Sequence, residues 1–339
     1  MSQNDGGGVE GEAVEVWGNR FRFIDHGDLA SLPPMAWAVE NAIPAHGYTL
    51  LVGDPKTGKS YLAMDLAGCV ARGTRWFGRA VRQGPVAYIA LEGREGMRSR
   101  LDPWEAHWGP IPADGIRFLA PGEKPNFAKL EDVQEIARAI RTQHAALPAL
   151  VILDTLGAAT PGTDMNTDGA ATVMEHLKYL AENVGAPVLV VHHTTKNGSG
   201  RSGKGSVHID ASAEGFLFTR REASGFAFQS GRQRWCEDSE WTRVHLEETE
   251  DGPVLKSALR QHDAPRISPR ARQAFLALPA GGLKCREWER ASGLAHSTFG
   301  RIRQELVDDG QVTKDGDLYR PTGSTGSKPG PLVPMDTAA

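Results

Sequence analysis

The sequence predicts an α/β fold with a mostly parallel sheet, followed by a small unit of three helices and a hairpin. Three observations carry this. Apolar runs alternate with helical patterns from about residue 48 to residue 191. A complete phosphate-binding loop, Gly53-Asp54-Pro55-Lys56-Thr57-Gly58-Lys59-Ser60, stands between the first apolar run and the first helical pattern. Beyond residue 265 the pattern changes to short helices that end in an Asp-Gly turn.

The strand candidates are Thr49–Val52, Val86–Leu91, Ile116–Leu119, Leu150–Leu153 and Val188–Val191. Each is apolar throughout, as expected of strands covered on both faces. Helical patterns fall at Lys59–Arg72, Leu130–Ala145 and Gly169–Asn183. Gly215–Thr219, Phe226–Gly231 and Thr242–Leu246 follow with no long helix between them, and are expected to extend the sheet antiparallel at one edge. Residues 1–12 and 321–339 are polar, rich in Gly, Pro or Ser, and expected to be disordered. The larger domain then spans 13–262 and the smaller 266–320, a sensible division of 339 residues.

Net charge is −4, so no global basic field advertises nucleic acid, and such binding must come from local patches. The three cysteines (Cys69, Cys236, Cys285) are far apart and form no metal-binding pair, which fits a reducing cytoplasm. No apolar stretch has the length of a membrane span.

The phosphate loop is the strongest chemical signal. Its backbone amides and the helix behind it can wrap a triphosphate, so residues 53–60 and the adjoining Tyr61 are the expected nucleotide contacts. Lys59 would reach the outer phosphates of ATP, and Ser60 would take one place on Mg²⁺. Leu150–Leu153 ends in Asp154, a carboxylate suited to the Mg²⁺ shell or, more simply, to capping a turn. Glu92 ends another strand at the same edge; it can activate a water or stand as a loop acid. His192-His193 can contact the γ-phosphate, ligate a metal or bond to backbone, and strand alternation favours His193 for the nucleotide. Arg232 and Arg234 sit on one side of an extended segment and would reach a γ-phosphate in cis or across a subunit interface, with Arg220-Arg221 a weaker pair. The Gly/Ser-rich stretch 196–206 carries Lys196, Arg201 and Lys204. It has the composition both of a nucleic-acid grip and of a solvated linker.

In the C-terminal unit, helices are expected at Pro269–Leu278, Cys285–Ala291 and Ser297–Asp308, then a hairpin with Asp315-Gly316 at its tip. This is the order of a winged helix-turn-helix. Ten lysines and arginines face seven acids between residues 266 and 320. Ser297 or His296 would cap the third helix, whose outer face offers Ser297, Thr298, Arg301 and Gln304 to DNA. Phe299, Ile302, Leu306 and Trp288 are expected in its core. Winged helices also dock proteins, so both partners stay open.

Taken in order, the phosphate loop, Tyr88-Ile89-Ala90-Leu91-Glu92-Gly93, the strand to Asp154, Val191-His192-His193-Thr194-Thr195-Lys196 and Arg232-x-Arg234 resemble the RecA-like, AAA-type P-loop ATPases. Within them the pattern resembles that of RepA-type plasmid replicative DNA helicases. The resemblance covers roughly residues 30–250. It implies that Lys59 and Ser60 hold nucleotide and metal, Glu92 activates water, Asp154 positions Mg²⁺, and His193 senses the γ-phosphate. It further implies that Arg232 and Arg234 act in a neighbour's site, with six copies in a ring around single-stranded DNA. The chain departs from DnaB-type helicases in having no primase-binding domain before the core, and from the minimal RepA pattern in its C-terminal unit. The competing expectation is a replication or regulatory ATPase that reads duplex DNA through the winged helix and switches without unwinding. A recombinase-like filament and a small-molecule kinase rank behind both.

Overall fold

The computed structural model describes residues 24–32, 34–193, 209, 212–257, 268–279, 281–308 and 312–321. They fall into two compact units, Met1–Met35 and Ala36–Ala339. In the first, the described residues make one 3-10 turn, His26–Ser31, with Leu29 and Leu32 exposed.

The second unit is built on a nine-stranded sheet. After a short antiparallel pair, β1 (Trp37–Val39) and β2 (Ile43–Pro44), the sheet strands come in turn. They are β3 (Tyr48–Gly53), β4 (Val86–Ala90), β5 (Ile116–Phe118), β6 (Leu150–Asp154), β7 (Val188–His193), β8 (Gly215–Glu222), β9 (Gly225–Gly231), β10 (Thr242–Thr249) and β11 (Gly252–Lys256). Their order across the sheet is β11-β10-β9-β8-β3-β7-β6-β4-β5. Strands β3 to β8 are mutually parallel, and β9 to β11 are antiparallel. β8 therefore differs from expectation: it lies parallel to β3, with Gly53 opposite Thr219. Its direction depends on which strand it pairs with, which its own residues do not encode.

Alternation assigns each strand two apolar faces. Leu51, Leu189 and Val191 join one core with α1 (Lys59–Arg72) and α2 (Arg98–Trp108). Leu50, Val52, Val188 and Val190 join the other with α3 (Leu130–Gln143) and α5 (Asp168–Val184), while the short α4 (Leu156–Ala159) follows β6. Helix α2 was not expected, because Pro103 in its interior and its many polar residues argue locally against a helix. Tertiary packing overrides this. Trp104 packs against Gly68 of α1, so closely that a Cβ there would collide with its ring, and its Nε1 donates to Asp65 at 2.9 Å.

Near the C-terminus come α6 (Pro269–Leu276), β12 (Leu283–Lys284), α7 (Cys285–Ser292), α8 (His296–Asp308), β13 (Val312–Asp315) and β14 (Leu318–Pro321). They enclose their own core of Trp288, Phe299, Ile302 and Leu306. Two local expectations need correction. Asp315 pairs with Leu318, so the tip is Gly316-Asp317, with Gly316 at φ 58°; Asp-Gly and Gly-Asp both suit two-residue turns. Helix α8 begins at His296, and Ala295 supplies its first carbonyl, to Phe299 N–H at 2.8 Å. Neither His296 nor Ser297 is therefore the cap.

Candidate functional site

The loop between β3 and α1 is shaped for an anion. Lys56 and Gly58 adopt φ of 64° and 79°, which turns successive amides inward as a nest. A side chain at Gly58 would meet both this left-handed backbone and the Phe226 ring. Helix α1 starts on Gly58 without a side-chain cap, which leaves its first amides to a ligand. Asp54, Pro55 and Lys56 are exposed at the loop's crest. Thr57 is buried, donating to the Asp54 carbonyl at 2.8 Å and sharing a 2.7 Å hydrogen bond with Thr219.

Lys59 is 5% exposed, and its Nζ donates to the carbonyls of Gly53 (2.8 Å) and Asp54 (2.7 Å). Burial pulls its pKa down to about 8, against the opposing pull of Asp154, Asp54 and Glu92. Asp154 ends β6 and is 1% exposed. Its Oδ2 accepts from Tyr88 Oη at 3.0 Å, while no donor reaches the buried Oδ1 with hydrogen-bond geometry. Burial raises the Asp154 pKa; the nearby Ser60 hydroxyl, Tyr88 and Arg100 hold it down. A buried carboxylate with one oxygen unsatisfied and the Ser60 hydroxyl beside it, next to the phosphate loop, fits a hydrated Mg²⁺.

A cleft of about 1140 Å³ opens at this edge, lined by Lys59, Ser60, Tyr61, Glu92, Arg100 and His193 on one side. The turn from β8 to β9 and His245-Leu246 of β10 form the other side. Glu92 is exposed and its N–H donates to the Asp154 carbonyl at 3.3 Å. His193 pairs in register with Gly53 and faces the cleft, while His192 is 5% exposed. Arg100 on α2, over the Tyr61 ring at 5.2 Å, was missed because its helix was missed. Phe226 was read only as a strand residue, since its contact with Gly58 is long-range. Of the weaker pair, Arg221 lines the cleft and donates to the Lys56 carbonyl at 3.5 Å. Arg220 instead stacks on Trp241 at 4.1 Å and bonds Glu222 at 2.8 Å.

Arg232 and Arg234 are not brought to this cleft. Gly231 pairs with Phe216 near the start of β8, and Arg234 N–H donates to the carbonyl of Glu214, which itself bonds Tyr48 at the start of β3. The two arginines stand at the opposite edge of the sheet, four or five residues, or about 13–17 Å, below Gly53. This corrects the reading that they reach their own chain's phosphates. Strand alternation does not relate them either, because β9 ends at Gly231 and Arg232 has φ 48°. In α8, Ser297 and Arg301 are exposed and Thr298 half-buried. Lys196, Arg201 and Lys204 lie outside the described residues. Among the described residues no three His, Cys, Asp or Glu side chains converge on a metal site, and no helix is long and apolar enough to cross a membrane.

A phosphate loop joining a buried strand to a helix, with a carboxylate at the end of a parallel strand beside it, defines a nucleotide-binding α/β protein of the phosphate-loop class. Residues 19–199, more than half of the chain, match the family model of an AAA domain, AAA_25, and the chain belongs to that family. Among solved structures, a KaiC-like protein from the hyperthermophilic archaeon Pyrococcus horikoshii OT3 aligns over 66% of this chain and 96% of its own, at 15% identity and a TM-score of 0.42. The RadB recombinase aligns over 64% of this chain and 91% of its own, also at 15% identity, with a TM-score of 0.41. Comparison with curated protein sequences gives no match.

Proposed function

We propose that this protein is an ATP-hydrolysing motor on single-stranded DNA, RecA-like and resembling RepA-type helicases, working in the cytoplasm as a homo-oligomeric ring of six. The motor occupies residues 13–262, with a winged helix at 266–320. One observation carries the reading. Lys59, Ser60, Glu92 and His193 line one cleft, with the buried Asp154 beside Ser60, whereas Arg232 and Arg234 stand at the other end of the strands, which suits a role toward another copy. Trp235 beside them is 53% exposed, and an exposed tryptophan with arginines is a common interface composition.

In this reading the loop amides and Lys59 hold the phosphates of ATP. Ser60 and Asp154 hold Mg²⁺, which supplies charge neutralisation at the phosphates when bound. Glu92 orients and deprotonates the attacking water, and His193 contacts the γ-phosphate. Arg232 and Arg234 of a neighbour offset charge as it develops. Lys196, Arg201 and Lys204 are the proposed contacts to single-stranded DNA, and Ser297, Thr298 and Arg301 those to duplex.

Tyr88 holds the metal-binding carboxylate in place. Tyr88→Phe leaves Asp154 Oδ2 without its donor in a buried site. The Mg²⁺ concentration for half-maximal hydrolysis is then expected to rise about tenfold with the fold intact. A Mg²⁺ titration at saturating ATP checks this.

The exposed face of α8 favours a second reading, in which the winged helix reads duplex DNA and nucleotide only switches assembly. Strand displacement on a forked duplex decides between them. The motor releases the strand in an ATP-dependent way; hydrolysis without any release supports the switch.

A further inference from the structure

We infer that strand β9 couples the phosphate loop of one subunit to the arginine arm that serves the next, with Phe226 as the positioning residue at the loop end. This rests on the reading above, in which nucleotide binds at 53–60 and Arg232 acts in a second copy.

The two ends of β9 touch the two places concerned. At its start, the Phe226 ring, 5% exposed, fills the space that a side chain on Gly58 would need. Its partner in register on β8, Arg221, donates to the Lys56 carbonyl, and Thr219 on the same strand bonds Thr57. The hairpin thus contacts three consecutive residues of the loop. At the other end, Arg232 adopts φ 48°. Left-handed backbone is disfavoured for a non-glycine residue and persists where the surroundings over-determine it. Here its N–H donates to Asp238 Oδ1 at 2.6 Å, and its guanidinium lies over Phe216 and Phe218 at 5.6 and 5.8 Å. Both rings belong to β8, the strand that also carries Thr219 and Arg221.

The physical consequence follows from packing. Lys59 is folded onto the carbonyls of Gly53 and Asp54. Phosphates at the loop compete for that ammonium, so the loop re-seats around Gly58. The Phe226 ring, packed tightly against Gly58 at the wall of the cleft, meets that displacement, and a close-packed contact passes part of it on along the strand. The strand delivers it to the strained residue at its far end, where a small change selects between two settings of the arm. The state of one site then sets the arm offered to the next.

Hydrogen exchange tests this on the full chain, diluted until mass photometry shows single copies, so that no neighbour's site touches the arm. The probe is Mg²⁺ with a non-hydrolysable ATP analogue at saturation, with binding verified by calorimetry. Amides of residues 229–235 are expected to exchange about fivefold more slowly in the wild type, the lower end of ordinary coupling between sites. Phe226→Leu, saturated with the same analogue, is expected to lose that protection; Phe226→Ala serves as the larger deletion if it folds. A wild type that binds the analogue with no change at 229–235 overturns the coupling and leaves the nucleotide site standing. Protection that survives in Phe226→Leu overturns the role of Phe226. Failure of the wild type to bind the analogue removes the nucleotide site, and the coupling with it.

Discussion

Lys59→Met is expected to abolish ATP hydrolysis while making the nucleotide-free protein more stable. In the proposed function Lys59 is the cation of the anion site, so its loss removes the charge that would offset the outer phosphates, worth several orders of magnitude in comparable phosphoryl transfers. The stability effect comes from burial. The Lys59 pKa falls from 10.5 to about 8 in the folded chain, so folding disfavours the charged form. At most this corresponds to ~3 kcal/mol. Partial contact with water, and the two carbonyls left without a donor, reduce the net gain to ~1 kcal/mol. The sign with pH is fixed. A lowered lysine pKa costs no stability above the unfolded value of 10.5, and the full amount below about 8. The advantage of Lys59→Met should therefore be complete below pH 8 and fade as pH rises toward 10.5. Urea unfolding across that range, beside an ATPase assay at neutral pH, checks both halves. Stability given up by a functional lysine is a familiar exchange.

Arg232→Ala is expected to lower hydrolysis by about 10³-fold or more, the scale of an arginine supplied to a phosphoryl transfer in trans. The distinguishing result lies in mixtures. Arg232→Ala subunits keep an intact cleft but offer no arm, whereas Lys59→Met subunits keep the arm but lack the cleft's cation. Neither should hydrolyse ATP alone, and together they should recover a sizeable fraction of wild-type turnover. The proposed trans role predicts this, and it agrees with Arg234 N–H donating to the Glu214 carbonyl, at the end of the strands away from Gly53. Mixed subunits that stay inactive despite co-assembly would remove the trans assignment. The neighbouring Asp238, bonded to the Arg232 backbone, offers a milder control because its loss frees the arm without deleting it.

What the sequence disclosed, and what it hid, divides along a physical line. The phosphate loop, the strand to Asp154 and the apolar runs of β3, β4, β6 and β7 were legible because each is local: a spacing, a terminal acid, an unbroken apolar stretch. Helix α1 matched its expected bounds, Lys59–Arg72, for the same reason. Helix α2 was hidden because its stability comes from Trp104 against α1 rather than from its own residues, and Arg100 was hidden with it. The contact of Phe226 with Gly58 joins positions far apart in the chain, so no spacing announces it. Arg232 and Arg234 were visible as a pair, but which edge of the sheet they occupy became clear only from the register of β8 with β3 and β9. The hairpin tip slipped by one residue because Asp315-Gly316 and Gly316-Asp317 are equally good turn pairs, and only pairing across the strands chooses between them.

The central claim is that hydrolysis in this cleft is tied to single-stranded DNA. Steady-state ATP turnover, measured alone, with single-stranded DNA and with duplex of the same length, tests it most directly. The account predicts strong stimulation by the single strand and little by duplex, lost in Lys59→Met. Turnover that is unchanged by single strands, or raised only by duplex, would contradict it.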